Sequence, residues 1–169
     1  MANNTSRKAT GTAQEAAERK GRGMNGPEAR TRLVAVYGTL MTGERNERWR
    51  AGIPTARAGW IYGRLYDTGY GFPAFEPAND PEQQNDVQVA CEVLECTPEQ
   101  IEHMDVLEGY PRLYTRRVVW CEGKDGWGGK VLVYTMNRLP EGAKEIVTEE
   151  LQNWGRVADW RAYRKGAGA

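Results

Sequence analysis

Leu33-Val34-Ala35-Val36-Tyr37-Gly38-Thr39-Leu40-Met41 is an apolar run that stops at a glycine. The run reads as a first strand, Leu33 to Tyr37, and the glycine reads as the start of the loop that ends it. Glycine permits backbone dihedrals that a Cβ hinders, so successive N–H groups after Tyr37 can converge as an anion-binding nest, which suits a carboxylate. An ordinary strand-ending turn is the alternative reading of the same residues. The run lacks both G-x-x-x-x-G-K-[ST] and a G-x-G-x-x-G opening a helix, which leaves nucleotide binding without support.

Outward from this strand, the pattern predicts further elements. Glu44 to Ala51 reads as a short helix. Gly59 to Asp67 reads as a strand, with Trp60, Tyr62, Arg64 and Tyr66 alternating with smaller residues. Gly69 to Pro73 is a turn-rich loop carrying aromatic residues, and Pro77 to Asp86 is a polar surface loop. Val87 to Glu95 alternates again, placing Val87, Val89, Cys91 and Val93 on one face. Thr97, Pro98 and Gln100 form a helix-start signal with the spacing of a capping box. Ile101, Met104 and Leu107 then recur at helical offsets until Gly109 and Pro111 end the element. Leu113 to Cys121 and Lys130 to Met136 read as strands joined by a hairpin over Glu122 to Gly129. Thr148 to Tyr163 reads as a last helix, with Leu151, Trp154, Val157, Ala158 and Trp160 facing the core. Strands outnumber helices and are interrupted irregularly, which favours an α+β fold with a mixed, closable sheet over a doubly wound one.

Composition narrows the function classes. The chain has 169 residues, enough for one domain with one core. Lys and Arg number 23, matched by 23 Asp and Glu, so no overall field favours nucleic acid or an anionic membrane. Residues 1–31 read as a disordered, mildly basic tail, the one segment suited to nucleic acid or a protein partner. Residues 32–165 read as the domain and 166–169 as a flexible end. No apolar h-region or stretch of about 20 apolar residues is present, and the expectation is a cytoplasmic protein off the membrane. Cys91, Cys96 and Cys121 show no C-x-x-C spacing and read as buried reduced thiols, with Cys91 and Cys96 on opposite faces if they share a strand. With His103 the lone histidine, in a helix among charges, a zinc site has poor material.

The acid that stands out is Glu108, at the end of the helix just before Gly109. The negative end of the helix dipole disfavours a further negative charge there, and shielding by Phe72, Tyr110 or Tyr114 would add to the effect. A raised pKa is what a general base near neutral pH needs. The alternatives are an exposed helix-end Glu or one paired with Arg112 or Arg116, and Asp105 is the nearest competing acid. Serine occurs only as Ser6. Neither a Ser-His nor a convincing Cys-His pair can be assembled, which points away from covalent catalysis.

The ordered set of segments resembles the γ-glutamylcyclotransferase-like, or AIG2-like, family. Tyr37-Gly38-Thr39-Leu40 with Gly43 and Asn46 looks like its Y-G-[ST]-L loop. Gly63 to Tyr66 and Phe72-Pro73-Ala74 look like its second strand and Pro-containing loop. Met104 to Pro111 with Tyr114-Thr115-Arg116 is similar to its L-D-x-x-E-x-x-P-x-x-Y-x-R segment, with Met104 where Leu is usual. The resemblance covers about Leu33 to Met136, and the Y-G-T-L form looks closest to the γ-glutamylamine branch. The long N-terminal tail and the Trp-rich C-terminus depart from the family pattern.

The resemblance implies a small mixed β-barrel flanked by helices. It implies intramolecular aminolysis of a γ-glutamyl amine or γ-glutamyl amino acid to 5-oxoproline, without metal or organic cofactor. Glu108 would be the proton carrier. Tyr37, Gly38, Thr39, Leu40 and Met41 would hold the glutamyl moiety, with Phe72 and Pro73 walling the pocket and Tyr114 bonding Glu108 or substrate. The expected partner is a small γ-glutamyl molecule and the expected state a monomer or homodimer. A non-catalytic small-acid-binding or protein-interaction module on the same fold is the alternative.

Overall fold

The computed structural model describes residues 30–50, 52–79, 87–151 and 155–168. All of the expected tail (1–31) except Arg30 and Thr31, and most of the polar loop over 77–86, lie outside the described residues.

Five strands close into a barrel. These are β1 (Arg32–Val36), β2 (Thr55–Asp67), β4 (Val87–Cys96), β5 (Tyr114–Gly123) and β6 (Gly128–Met136). The order runs β2-β5-β6-β1-β4, and a β2–β4 pairing joins the ends. β1 lies parallel to β6 and antiparallel to β4, so the sheet is mixed. The 13-residue β2 also carries β3 (Pro73–Pro77) and β7 (Lys144–Ile146). The fold is the expected one: a small α+β barrel with flanking helices.

The alternation read in the sequence sets what each strand buries. Ala35, Ile61, Leu65, Val89, Cys91, Val93, Cys121, Val131 and Val133 fill the barrel. A second cluster lies on the other side of β1 and β4, where Val34, Val36, Leu94 and Cys96 meet Ile101 and Met104 of the helix α1 (Pro98–Glu108). Cys91 and Cys96 therefore belong to different cores, as opposite faces of one strand require. α1 starts as its sequence signals. Thr97 Oγ1 accepts from Gln100 N at 3.3 Å, and Gln100 Oε1 accepts from Thr97 N at 2.8 Å. It ends at Gly109, whose φ of 61° is the left-handed conformation that glycine adopts at least cost.

Three elements differ from the sequence reading. The helix expected over Glu44–Ala51 is a single 3-10 turn, Glu47–Arg50, with Ala51 outside the described residues. The strand β3 was not foreseen, because two prolines at its ends read as turn formers. The expected helix over Thr148–Tyr163 is instead β8 (Glu149–Glu150) and β9 (Arg156–Ala158), followed by α2 (Trp160–Ala167). β9 pairs parallel to β4, so Val157 and Ala158 are buried as strand residues, while Leu151 stays 40% exposed. Asp159 caps α2, its Oδ1 accepting from Arg161 N at 2.8 Å, which sets the helix start twelve residues beyond the expected one. α2 runs through Gly166 and Ala167, where a flexible end was expected, and Trp154 lies outside the described residues.

Candidate active site

A cavity of about 90 Å³ opens where β1 ends, bounded by the loop after it, by the Phe72–Pro73 segment and by the end of α1. Tyr37, Gly38, Thr39, Leu40, Phe72, Pro73, Glu108 and Tyr114 all line it. Of the nine residues singled out from the sequence, only Met41 is not brought to the cavity. Its side chain is fully buried in the core against α1.

The loop owes its shape to local bonds. Met41 N–H donates to Gly38 O at 2.9 Å, closing a turn over Thr39 and Leu40. Asn46 N–H donates to Thr39 O at 3.0 Å and Asn46 Nδ2 to Thr39 Oγ1 at 3.0 Å. Among the described residues the N–H groups of Gly38, Thr39 and Leu40 have no acceptor. Three successive amides without acceptors beside a cavity form a place for an anion.

Gly38 is required for a different reason from the one read in the sequence. It is not among the glycines of positive φ. A Cβ built on it would stand 2.5 Å from Pro73 Cγ and 2.8 Å from Pro73 Cδ. The glycine lets the proline ring seat against the loop. Pro73 is itself fixed, its carbonyl accepting from the Tyr114 hydroxyl at 2.9 Å. The Thr68 hydroxyl holds the neighbouring Phe72 carbonyl at 2.6 Å. Tyr114 thus spends its proton on Pro73, not on Glu108.

Glu108 ends α1 with its side chain in the cavity wall. Burial lifts its carboxyl from 4.5 to about 7, and burial is the only cause of the shift. Neither arginine considered from the sequence neutralises it. The Arg116 guanidinium lies 3.7 Å from Asp105 and 4.4 Å over the Tyr110 ring. Tyr110 is 37% exposed and does not line the cavity, so the shielding comes from Phe72, Leu107, Leu113 and Tyr114. Asp105 takes a structural place, accepting the Tyr134 hydroxyl at 2.7 Å. Burial and the Glu108 charge both push the Tyr114 phenol up, so it stays protonated. Tyr37, fully enclosed and donating to Tyr134 O at 2.7 Å, is likewise held neutral, chiefly by burial.

Of the cavity residues outside the sequence candidates, Asn46 and Tyr134 are the two with polar side chains. Asn46 was part of the recognised pattern, and its role as the brace of Thr39 follows from the turn geometry. Tyr134, on β6, gave no local signal. It reaches the site because β6 lies beside β1. His103 sits exposed on α1 with its ring 5.3 Å from that of Trp49, away from the cavity. Among the described residues no group of three or more His, Cys, Asp or Glu could hold a metal ion, and no helix is long and apolar enough to cross a membrane.

The profile of the family described as gamma-glutamyl cyclotransferase, AIG2-like, matches residues 34–156, a span containing every cavity residue. Among solved structures the fold is shared with the uropathogenic E. coli-specific protein c4763, at 23% identity and TM-score 0.57 over 80% of this chain and 96% of that one. An AIG2-like protein from Mus musculus aligns at 19% identity and TM-score 0.52, over 64% of this chain and 78% of its own. YkqA from Bacillus subtilis aligns at 21% identity and TM-score 0.57 over 82% of this chain, which spans only 42% of YkqA. No curated protein matches the chain. By the extent of the profile match and the order of the segments that carry it, this chain belongs to the γ-glutamyl cyclotransferase, AIG2-like family.

Proposed function

We propose that the protein is a cyclotransferase that closes a γ-glutamyl amine or γ-glutamyl amino acid into 5-oxoproline and releases the free amine or amino acid. The observation that carries this reading is the pairing, in one cavity, of an acid lifted to about 7 with three amides that have no acceptor. A carboxyl with that pKa is present in both forms near neutral pH, so it can take a proton and return it.

The amides of Gly38, Thr39 and Leu40 receive the substrate's α-carboxylate. Phe72 and Pro73 fold the chain back, so that the α-nitrogen faces the γ-carbonyl. The Tyr114 oxygen, its proton committed to Pro73, accepts from the α-ammonium. Glu108 removes one proton from that ammonium. The freed nitrogen attacks the γ-carbon, the bond to the leaving nitrogen breaks, and Glu108 returns the proton to the departing nitrogen. The second proton of the attacking nitrogen passes by way of Glu108 to the same amine, which leaves as the ammonium. The nucleophile is the substrate's own, which suits a site without an activated Ser or Cys. A tethered, oriented amine supplies an effective molarity on the order of 10⁵ M.

The test is incubation with γ-glutamyl amines, γ-glutamyl amino acids and glutathione, with 5-oxoproline followed by mass spectrometry. At least one member is expected to yield 5-oxoproline together with an equimolar amine. Binding of 5-oxoproline without turnover of any member would replace the enzyme by a small-acid-binding module.

A further inference from the structure

Glu92, on β4, is the other enclosed carboxylate near this loop, and the proposed chemistry does not use it. It is 5% exposed and saturated with donors. Its Oε2 accepts from Thr42 N at 3.0 Å, Thr42 Oγ1 at 2.9 Å, Thr55 Oγ1 at 3.0 Å and Arg50 Nη1 at 3.0 Å. Its Oε1 accepts from Arg161 Nη1 at 2.9 Å.

The placement of these donors matters more than their number. Thr42 directly follows Met41, whose N–H closes the turn carrying the three free amides. Arg50 ends the 3-10 turn that follows Asn46, the residue bracing Thr39. One carboxylate on a barrel strand thus grips both ends of the segment that shapes the amide nest, and Arg50 Nη1 links those ends again through Thr42 Oγ1 at 3.0 Å. Thr55 and Arg161 reach the same carboxylate from β2 and α2, outside that segment.

We propose that Glu92 is a positioning residue for the amide nest: through Thr42 it fixes the turn over Gly38–Leu40 in the shape that accepts a carboxylate. This rests on the proposed function for its consequence in catalysis, but not for its effect on the loop.

Thr42→Val and Thr55→Val form a matched pair, because each deletes one hydroxyl bond to Glu92 Oε2 and only the first lies on the loop. In the ligand-free protein, amide hydrogen exchange at Met41 and Asn46 reports whether the turn holds. Thr42→Val removes the hydroxyl's bonds to Glu92 and to Arg50 and is expected to speed both by about tenfold or more, while Thr55→Val leaves them unchanged. Thr42→Ser, which keeps the hydroxyl, restores slow exchange. With a substrate that yields 5-oxoproline, Thr42→Val raises KM by about the same factor at unchanged kcat, as a loss of uniform binding does. Equal exchange in the two valine variants, or a fall in kcat at constant KM, would overturn the proposal. If wild type makes no 5-oxoproline, the cyclotransferase reading fails and the exchange comparison alone decides the role of Glu92.

Discussion

Glu92 is a buried carboxylate and Glu108 a half-buried one in the cavity wall, and their protonation runs in opposite directions. Burial alone would lift Glu92. The bonds from Thr42 and Thr55 and the Arg161 charge outweigh that and hold it below the usual carboxylate range. Glu108 has the burial without the donors, and its carboxyl rises to about 7. Enclosure by itself does not decide whether an acid is a fixed anion or a proton carrier. The donors that arrive with it do.

The largest expected effect breaks the comparison at Glu108. Glu108→Gln keeps the shape and removes the proton. Formation of 5-oxoproline is expected to fall by about 10³-fold, within the range for losing a general acid–base group. In wild type, kcat/KM is expected to rise with pH and level off above about 7, the value to which burial lifts this carboxyl. The same substitution should stabilise the fold. Below about 4.5 the residue is protonated whether folded or not. Between 4.5 and about 7 the unfolded chain ionises first, so stability falls as pH rises through that window. At about pH 8, Glu108→Gln should therefore exceed wild type by roughly 2 kcal/mol, a figure discounted for partial exposure, and the gap should close near about pH 4. Urea unfolding across that range measures it. Turnover retained by the variant would remove Glu108 from the reaction.

The next effect breaks the comparison at Glu92. Glu92→Ala leaves Arg50, 3% exposed, without its ion pair at 3.0 Å. Stranding an enclosed charge costs about 3 kcal/mol, so the urea midpoint should drop sharply. A midpoint within error of wild type would mean that Arg50 finds another partner, and the contrast between the two acids would lose its structural half.

How much of this could be read from the sequence follows from how local each cause is. Thr97, Pro98, Gln100 and Gly109 bracket α1 within a dozen residues, so the position of Glu108 at its end was legible. The reason for its pKa was only half legible. The helix dipole, read as the first cause, is not what raises it; the burial read as an addition is, and Phe72 and Tyr114 supply it from distant parts of the chain. Gly38 was legible as a special glycine and illegible in mechanism, because its constraint is the Pro73 ring arriving from the start of β3. Glu92 could not be read at all. It sits in an alternating strand as an ordinary polar position, and its donors, Thr42, Arg50, Thr55 and Arg161, meet only once β4 has docked between β1, β2 and β9. The C-terminal misreading has the same origin. Val157, Ala158 and Trp160 keep helical offsets, but the free edge of β4 captures Arg156–Ala158 as a strand.

Asp105 sharpens the comparison with an intermediate case, and there the smallest effect is expected. It lies one turn before Glu108 on α1 and has one short bond, from the Tyr134 hydroxyl at 2.7 Å, and one longer ion pair, to Arg116 at 3.7 Å. Its side chain is 16% exposed and that of Arg116 30%, so water screens the pair. Asp105→Asn keeps an acceptor for Tyr134 and loses only the charge. The expected cost is about 0.5–1 kcal/mol in urea unfolding, in the range of partly exposed ion pairs. The pH at which activity reaches half its plateau should not move, because the shift at Glu108 comes from burial and not from a neighbouring charge. A displaced midpoint would show that Glu108 responds to the charge on Asp105. Glu108 would then owe its pKa to a partner, as Glu92 does, and the distinction between the acids would be one of charge sign instead of donor supply.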